Sequence, residues 1–155
     1  MKKCLIIVFF AMLAIGCKKE SELSKFNNSI QGTWKVQSNK LEYYSGTNQK
    51  THENVLSGDG TFKEITFSEN LTAGILVYDN SVISSRYDII NTDGKRFVEF
   101  NSILLFDTQY FELASSSKTA MTWKVKFTDI QYEDDQTGET VLAPYAILTI
   151  QLNKN

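Results

Sequence analysis

Met121-Thr122-Trp123-Lys124-Val125-Lys126-Phe127-Thr128 is the stretch on which the fold turns: Met121, Trp123, Val125 and Phe127 alternate with Thr122, Lys124, Lys126 and Thr128. Alternation with a period of two puts one apolar face inward and one polar face in water, which is a half-buried β-strand. Leu148, Ile150 and Leu152 repeat the pattern near the end of the chain. Working outward from this strand, polar turn clusters recur at Ser57-Gly58-Asp59-Gly60, Asp79-Asn80-Ser81, Asn91-Thr92-Asp93-Gly94, Ser115-Ser116-Ser117 and Asp134-Asp135-Gln136-Thr137-Gly138. The runs between them predict strands over 32–44, 61–68, 71–78, 82–90, 95–101, 103–113, 119–132 and 140–152. About eight short strands at this spacing, with a single proline (Pro144) and no competing helical pattern, describe an all-β antiparallel barrel or sandwich. Apolar residues fall on both parities at 62–67 and 97–100, which predicts a bulge or a two-sided strand there.

Ile30-Gln31-Gly32-Thr33-Trp34-Lys35-Val36 begins the first strand. This Gly32-x-Trp34 opening resembles that of lipocalins and fatty-acid-binding proteins. The resemblance spans about residues 26–152 and implies an up-and-down β-barrel in which Gly32 lets the chain turn in close and Trp34 plugs the closed end. Lipocalins often lay an arginine from near the last strand over that tryptophan. The arginines here are Arg86 and Arg96, both mid-domain. Nor does the last strand carry the Arg-x-Tyr clamp of fatty-acid-binding proteins, so a fatty-acid carboxylate site does not carry over.

The sequence holds ten phenylalanines, two tryptophans and seven tyrosines, and all but Phe9 and Phe10 fall at 26–155, where they could line or fill the interior. An eight-stranded barrel is just wide enough to be filled by side chains or to hold one small ligand, and the sequence leaves both open. The mid-strand aromatics Tyr78, Tyr87, Phe100 and Trp123 are the ligand-binding candidates.

Little else carries chemistry. His52 is the single histidine; it sits in the polar stretch Asn48-Gln49-Lys50-Thr51-His52-Glu53-Asn54 and reads as an exposed loop residue without relay partners. Glu133, Asp134, Asp135 and Glu139 offer oxygen ligands but not the alternating positions of a calcium loop, so they read as a solvated hairpin. No catalytic residue, metal or cofactor is expected, and the chain reads as a non-enzyme.

The N-terminus reads as an address. Lys2 and Lys3 precede an apolar run over 5–15 (LIIVFFAMLAI) that closes on Gly16, the pattern of a secretion signal. The run is about half of the roughly 20 residues a spanning helix needs. Leu13-Ala14-Ile15-Gly16-Cys17 resembles the lipobox of bacterial lipoproteins, with the leucine one place earlier than usual. The resemblance implies cleavage after residue 16, acylation of Cys17 and a lipid anchor of the palmitate type. The charged start Lys18-Lys19-Glu20-Ser21-Glu22 resembles the outer-membrane or surface-export signals of lipoproteins in certain Gram-negative lineages, with either the periplasmic or the surface face open to it. Cys4 leaves with the signal, so the mature chain keeps one cysteine and no internal disulfide. Residues 17–25 then form a charged tether, and 26–155 the barrel domain. Removal of the signal takes two lysines and leaves 14 basic against 18 acidic side chains in 139 residues, a single domain in size and too acidic to bind nucleic acid.

Two functions fit: a membrane-tethered carrier of a small apolar molecule, or a non-enzymatic scaffold that is an accessory subunit of an envelope assembly and contacts a protein partner through outward aromatics such as Tyr43-Tyr44 and Tyr110-Phe111. Both rest on the anchor. Replacement Cys17→Ser is expected to abolish labelling by palmitate and to move the protein from the membrane to the soluble fraction; a labelled or membrane-bound variant would show that Cys17 is not the anchor.

Overall fold

The computed structural model describes residues 21–56, 62–102 and 105–155, and the expected signal segment and Cys17 lie outside them, as does the turn expected at Ser57-Gly58-Asp59-Gly60. Among the described residues nine strands follow one helix: α1 (Glu22–Ile30), β1 (Gly32–Tyr44), β2 (Lys50–Val55), β3 (Phe62–Phe67), β4 (Thr72–Val77), β5 (Val82–Thr92), β6 (Lys95–Phe100), β7 (Tyr110–Ser116), β8 (Ala120–Glu133) and β9 (Thr140–Lys154). All pairings are antiparallel, and β1 pairs with β9 from Trp34–Lys154 to Tyr44–Tyr145, closing an eight-stranded barrel. This is the expected architecture, and it is compatible with a calycin-like barrel.

The ninth strand is an interruption rather than an addition. β2 and β3 run in the same direction along one edge of β1, with Val55 opposite Lys40 and Glu64 opposite Lys35. Five steps along β1 therefore face nine along its partner, so four extra residues divide one long strand into two. Nothing in the sequence of 50–55 predicts a strand, because its half-buried positions are His52 and Asn54, which leave no apolar period.

Bulges redirect the inward face. The β1–β9 register shifts between Val36 and Ser38, so the inward residues change from Trp34 and Val36 to Asn39, Leu41 and Tyr43. A second shift between Phe62 and Glu64 explains why Phe62, Ile65 and Phe67 are all buried despite their mixed parity. The strand expected at 103–113 is displaced. Its described part begins with an isolated Leu105–Thr108 bridge, and β7 starts only at Tyr110 and runs through Ser115 and Ser116, which the sequence reading assigned to a turn.

The helix, too, was absent from the expectation, and it includes residues 22–25 of the expected tether. Its first turn is capped by Ser21, whose Oγ accepts from the Ser24 N–H at 3.1 Å. Phe26 and Ile30 form its buried face, and the Arg96 guanidinium lies 4.0 Å over the Phe26 ring. Nine residues are too few to be stable alone; packing across one end of the barrel holds this helix.

That end is sealed by the opening motif. The Trp34 indole N–H donates to the Ile30 carbonyl at 2.6 Å, and Lys154 Nζ lies 5.2 Å over the Trp34 ring. A lysine from the end of the last strand thus takes the place the resemblance assigns to an arginine. Gly32 has φ +104°, and a Cβ there would stand 3.1 Å from Lys154 Cε. Gly32→Ala is expected to cost about 1–3 kcal/mol from the left-handed backbone and the contact together. In urea melts the loss should shrink on a Lys154→Ala background, because that change removes the contact and leaves the φ strain; equal losses in both backgrounds would mean that Lys154 does not press on this turn.

Candidate ligand site at the barrel mouth

The barrel interior is unequal along its axis. Midway along the axis, level with Asn39 and Ile150, Trp123 occupies the centre, with ring centroids of Phe62 at 6.1 Å, Phe67 at 6.2 Å, Phe100 at 6.1 Å and Phe111 at 5.2 Å. All five side chains are essentially inaccessible to solvent, and the four phenylalanines surround Trp123 with aromatic contacts. Toward the end opposite the Trp34 seal a cavity of about 240 Å³ is lined by Leu41, Leu56, Phe106, Asp107, Phe127, Ile130 and Leu148. Of these described lining residues, six of the seven are apolar and none is basic. The volume exceeds the roughly 150 Å³ of an engineered apolar cavity that admits benzene.

Each wall residue follows from its strand. Leu41 and Leu148 face each other across the β1–β9 seam, and Phe127 continues the inward parity of Trp123 and Val125. Asp129 then adopts φ +53°, and the inward face passes to Ile130 and Tyr132.

A small hairpin forms the remaining wall. Leu105 N–H donates to the Thr108 carbonyl at 2.9 Å and Thr108 N–H returns a bond to Leu105 at 3.1 Å. The two residues between have φ +53° (Phe106) and +58° (Asp107), the left-handed pair of a type I′ turn. Such turns favour Asn-Gly. A bulky aromatic in this conformation costs about 1–2 kcal/mol, and the turn is held by burial of Leu105. Phe106 is thereby aimed at the cavity, with its ring 6.4 Å from that of Phe62.

Beyond the cavity lies an aromatic rim. His52 stacks on Tyr132 at 4.7 Å and 11°, and Tyr132 packs on Tyr43 at 4.6 Å. His52 Nε2 is 2.9 Å from Asn54 Oδ1 and 3.8 Å from Asp135 Oδ2. The expected exposed loop histidine is in fact a strand residue whose side chain is only 11 % exposed, because the β2–β1 pairing carries it against Tyr43. Outside the same strands, Lys40 and Lys50 bridge Glu42 and Glu53 at 2.7–3.5 Å; exposed pairs of this kind contribute little to stability.

Of the four aromatic candidates, three converge and one stands apart. Tyr87 and Phe100 pair across β5–β6, Phe100 packs on Trp123, and all three are buried. Tyr78 is 37 % exposed in the β4–β5 turn and lies under Lys63 Nζ, 5.3 Å from its ring. None of the four lines the mouth cavity. Parity along β8 and β9 could have nominated Phe127 and Leu148, but nothing in Leu105-Phe106-Asp107-Thr108 signals a turn. A second pocket of about 290 Å³ lies between α1 and the barrel, lined by Leu23, Ser24, Asn27, Leu71, Asp88 and Ile89.

The acidic loop uses its charge locally. Asp134 Oδ1 accepts from the backbone N–H of Gln136 at 2.9 Å and of Thr137 at 3.0 Å, and these bonds hold its carboxyl below the usual carboxylate range. Among the described residues, no three His, Cys, Asp or Glu side chains gather as a metal site. No helix among them is long and apolar enough to cross a membrane.

Comparison with known proteins yields no relative: no family model matches the chain, nor does any curated protein or solved structure.

Burial pushes the Tyr87 hydroxyl up to about 12, while its O–H donates to Asn27 Oδ1 at 2.7 Å and ties the barrel to α1. The folded state holds this proton more tightly than the unfolded chain, whose tyrosines ionise near 10. The stability from keeping Tyr87 neutral is full below about pH 10 and is lost as pH rises toward 12, on the order of 2 kcal/mol in all. Chemical denaturation between pH 9 and 12 should show this fall, and Tyr87→Phe should flatten it; an unchanged slope in the variant would assign the fall to other groups.

Proposed function

We propose that the protein is a lipid-anchored barrel of the bacterial cell envelope, held to the outer membrane through Cys17, that binds or carries a small apolar molecule in its mouth cavity. It is a binding module and not an enzyme. The observation that carries this reading is the contrast within one barrel: five aromatic side chains pack together midway along its axis, while the mouth keeps an apolar cavity of about 240 Å³ beside a strained Phe106-Asp107 turn. Strained backbone of this kind clusters at ligand clamps and switch regions, and barrel mouths are preferred ligand sites. The Gly32-x-Trp34 seal, the barrel topology and the lipobox-like Leu13–Cys17 segment support a lipocalin-like lipoprotein.

The scaffold reading rests on a different surface. Tyr78, Val82 and Ile83 flank one hairpin and are 37 %, 64 % and 37 % exposed, whereas in each of the outward pairs expected from sequence one member is buried, Tyr43 and Phe111.

Native mass spectrometry on mature protein extracted gently from its own membranes separates the two. The expected result is a discrete mass beyond that of the lipidated chain, lost when Ile130→Phe fills the cavity at a stability cost of about 1–3 kcal/mol. A bare lipoprotein mass across growth conditions would sink the carrier reading and leave the scaffold.

A further inference from the structure

The mouth cavity also carries a charge preference. Asp107 is the one ionisable side chain among its seven lining residues, it is exposed, and no described residue forms a salt bridge with it. Its φ of +58° sets it beside Phe106 at the lip. Among the described residues the cavity therefore presents an apolar interior, two phenylalanine rings and one carboxylate at its opening.

We infer that the mouth cavity takes a monocationic aliphatic ligand, an alkyl amine or alkylammonium, with its chain among Leu41, Phe127, Ile130 and Leu148 and its cationic head at Asp107 and the Phe106 ring. This rests on the reading of the cavity as a ligand site and adds the class of ligand. Three arguments carry it. The carboxylate attracts a cation and repels an anion of equal chain length. A cation over an aromatic face gains from the ring quadrupole, and Phe106, which lines the cavity together with Asp107, precedes it in a turn that costs free energy to form. The volume fits a single short chain: at about 30 Å³ for each water and a comparable share for each methylene, 240 Å³ accommodates roughly eight carbons. A fatty acid of that length would set its carboxylate against Asp107 with no basic lining residue to neutralise it.

The test is calorimetric titration of the mature chain carrying Cys17→Ser, which keeps every described residue, with octyltrimethylammonium, octanol and octanoate at neutral pH and low salt. Attraction for one head group and repulsion for the other, each about threefold at an exposed carboxylate, multiply to about tenfold between cation and anion, with octanol between them. Asp107→Asn, which tolerates the left-handed turn, should bring the three probes to within about twofold of one another. Added salt should compress the wild-type ratio in the same direction. Equal or tighter binding of octanoate, or a ratio unchanged by Asp107→Asn, overturns the charge preference; if octanol still binds and Ile130→Phe abolishes that binding, the carrier reading survives. Absence of binding by all three probes overturns the inference, and only a bare mass in the native spectrum removes the carrier reading with it.

Discussion

Closure between the first and last strands is the constraint on which the rest of the barrel depends. β1 pairs with β9 over its length, and the two ends of that seam are finished differently. At one end Gly32 turns the chain inward, Trp34 fills the barrel base, and Lys154 crosses over its ring while its Nζ donates to the Ser29 carbonyl at 3.4 Å. Helix, first strand and last strand meet at a single aromatic side chain. At the other end the seam stays paired through Leu41–Leu148 to Tyr44–Tyr145, but no ring comparable to Trp34 fills the interior beside Leu41 and Leu148, and the cavity lies there.

Side-chain volume explains the asymmetry. The inward residues of β9 run Leu152, Ile150, Leu148 and then Ala146 and Ala143, so the strand withdraws its bulk as it approaches the mouth. Around the middle of the barrel the reverse holds, with Trp123 meeting four phenylalanines. Two polar atoms interrupt that packing. Among the described residues Asn39 Oδ1 and Trp123 Nε1 are buried without a hydrogen-bond partner, and both residues pair with Ile150, one from each side. Each such orphan costs about 1–3 kcal/mol, and the cost falls in the layer of Trp123, between the sealed end and the cavity.

The parts of this fold legible in the sequence are those where one residue's chemistry decides its own position. Met121 to Phe127 alternate because one face is buried, and Gly32-x-Trp34 marks the seal because few other pairs could turn in and then fill the base. What was illegible depends on partners distant in sequence. Lys50–Val55 has no apolar period, and becomes a strand only because β1 offers it an edge. The helix did carry Leu23, Phe26 and Ile30 at helical spacing behind Ser21, but nine residues are too short a window against a charged background. The mouth cavity was the least legible of all: Phe106 and Asp107 are poor residues for a left-handed turn, and a site made by residues in unfavourable conformations is hidden from propensity.

An anchor at Cys17 would constrain the cavity through the length of chain between them. From Cys17 to the cap at Ser21 is four residues, which reach at most about 14 Å when fully extended. α1 begins at the next residue and lies across the sealed end. With a lipid on Cys17, the Trp34 end is therefore held close to the bilayer surface, and the mouth, seven residues further along β1 at Leu41, is directed away from it at about 3.3 Å per residue. A ligand would then exchange through the aqueous space or a soluble donor, not by sliding up from the membrane below. That favours a molecule with a soluble head and a short chain over one that resides in the bilayer, in keeping with a small cavity that carries a charge at its lip.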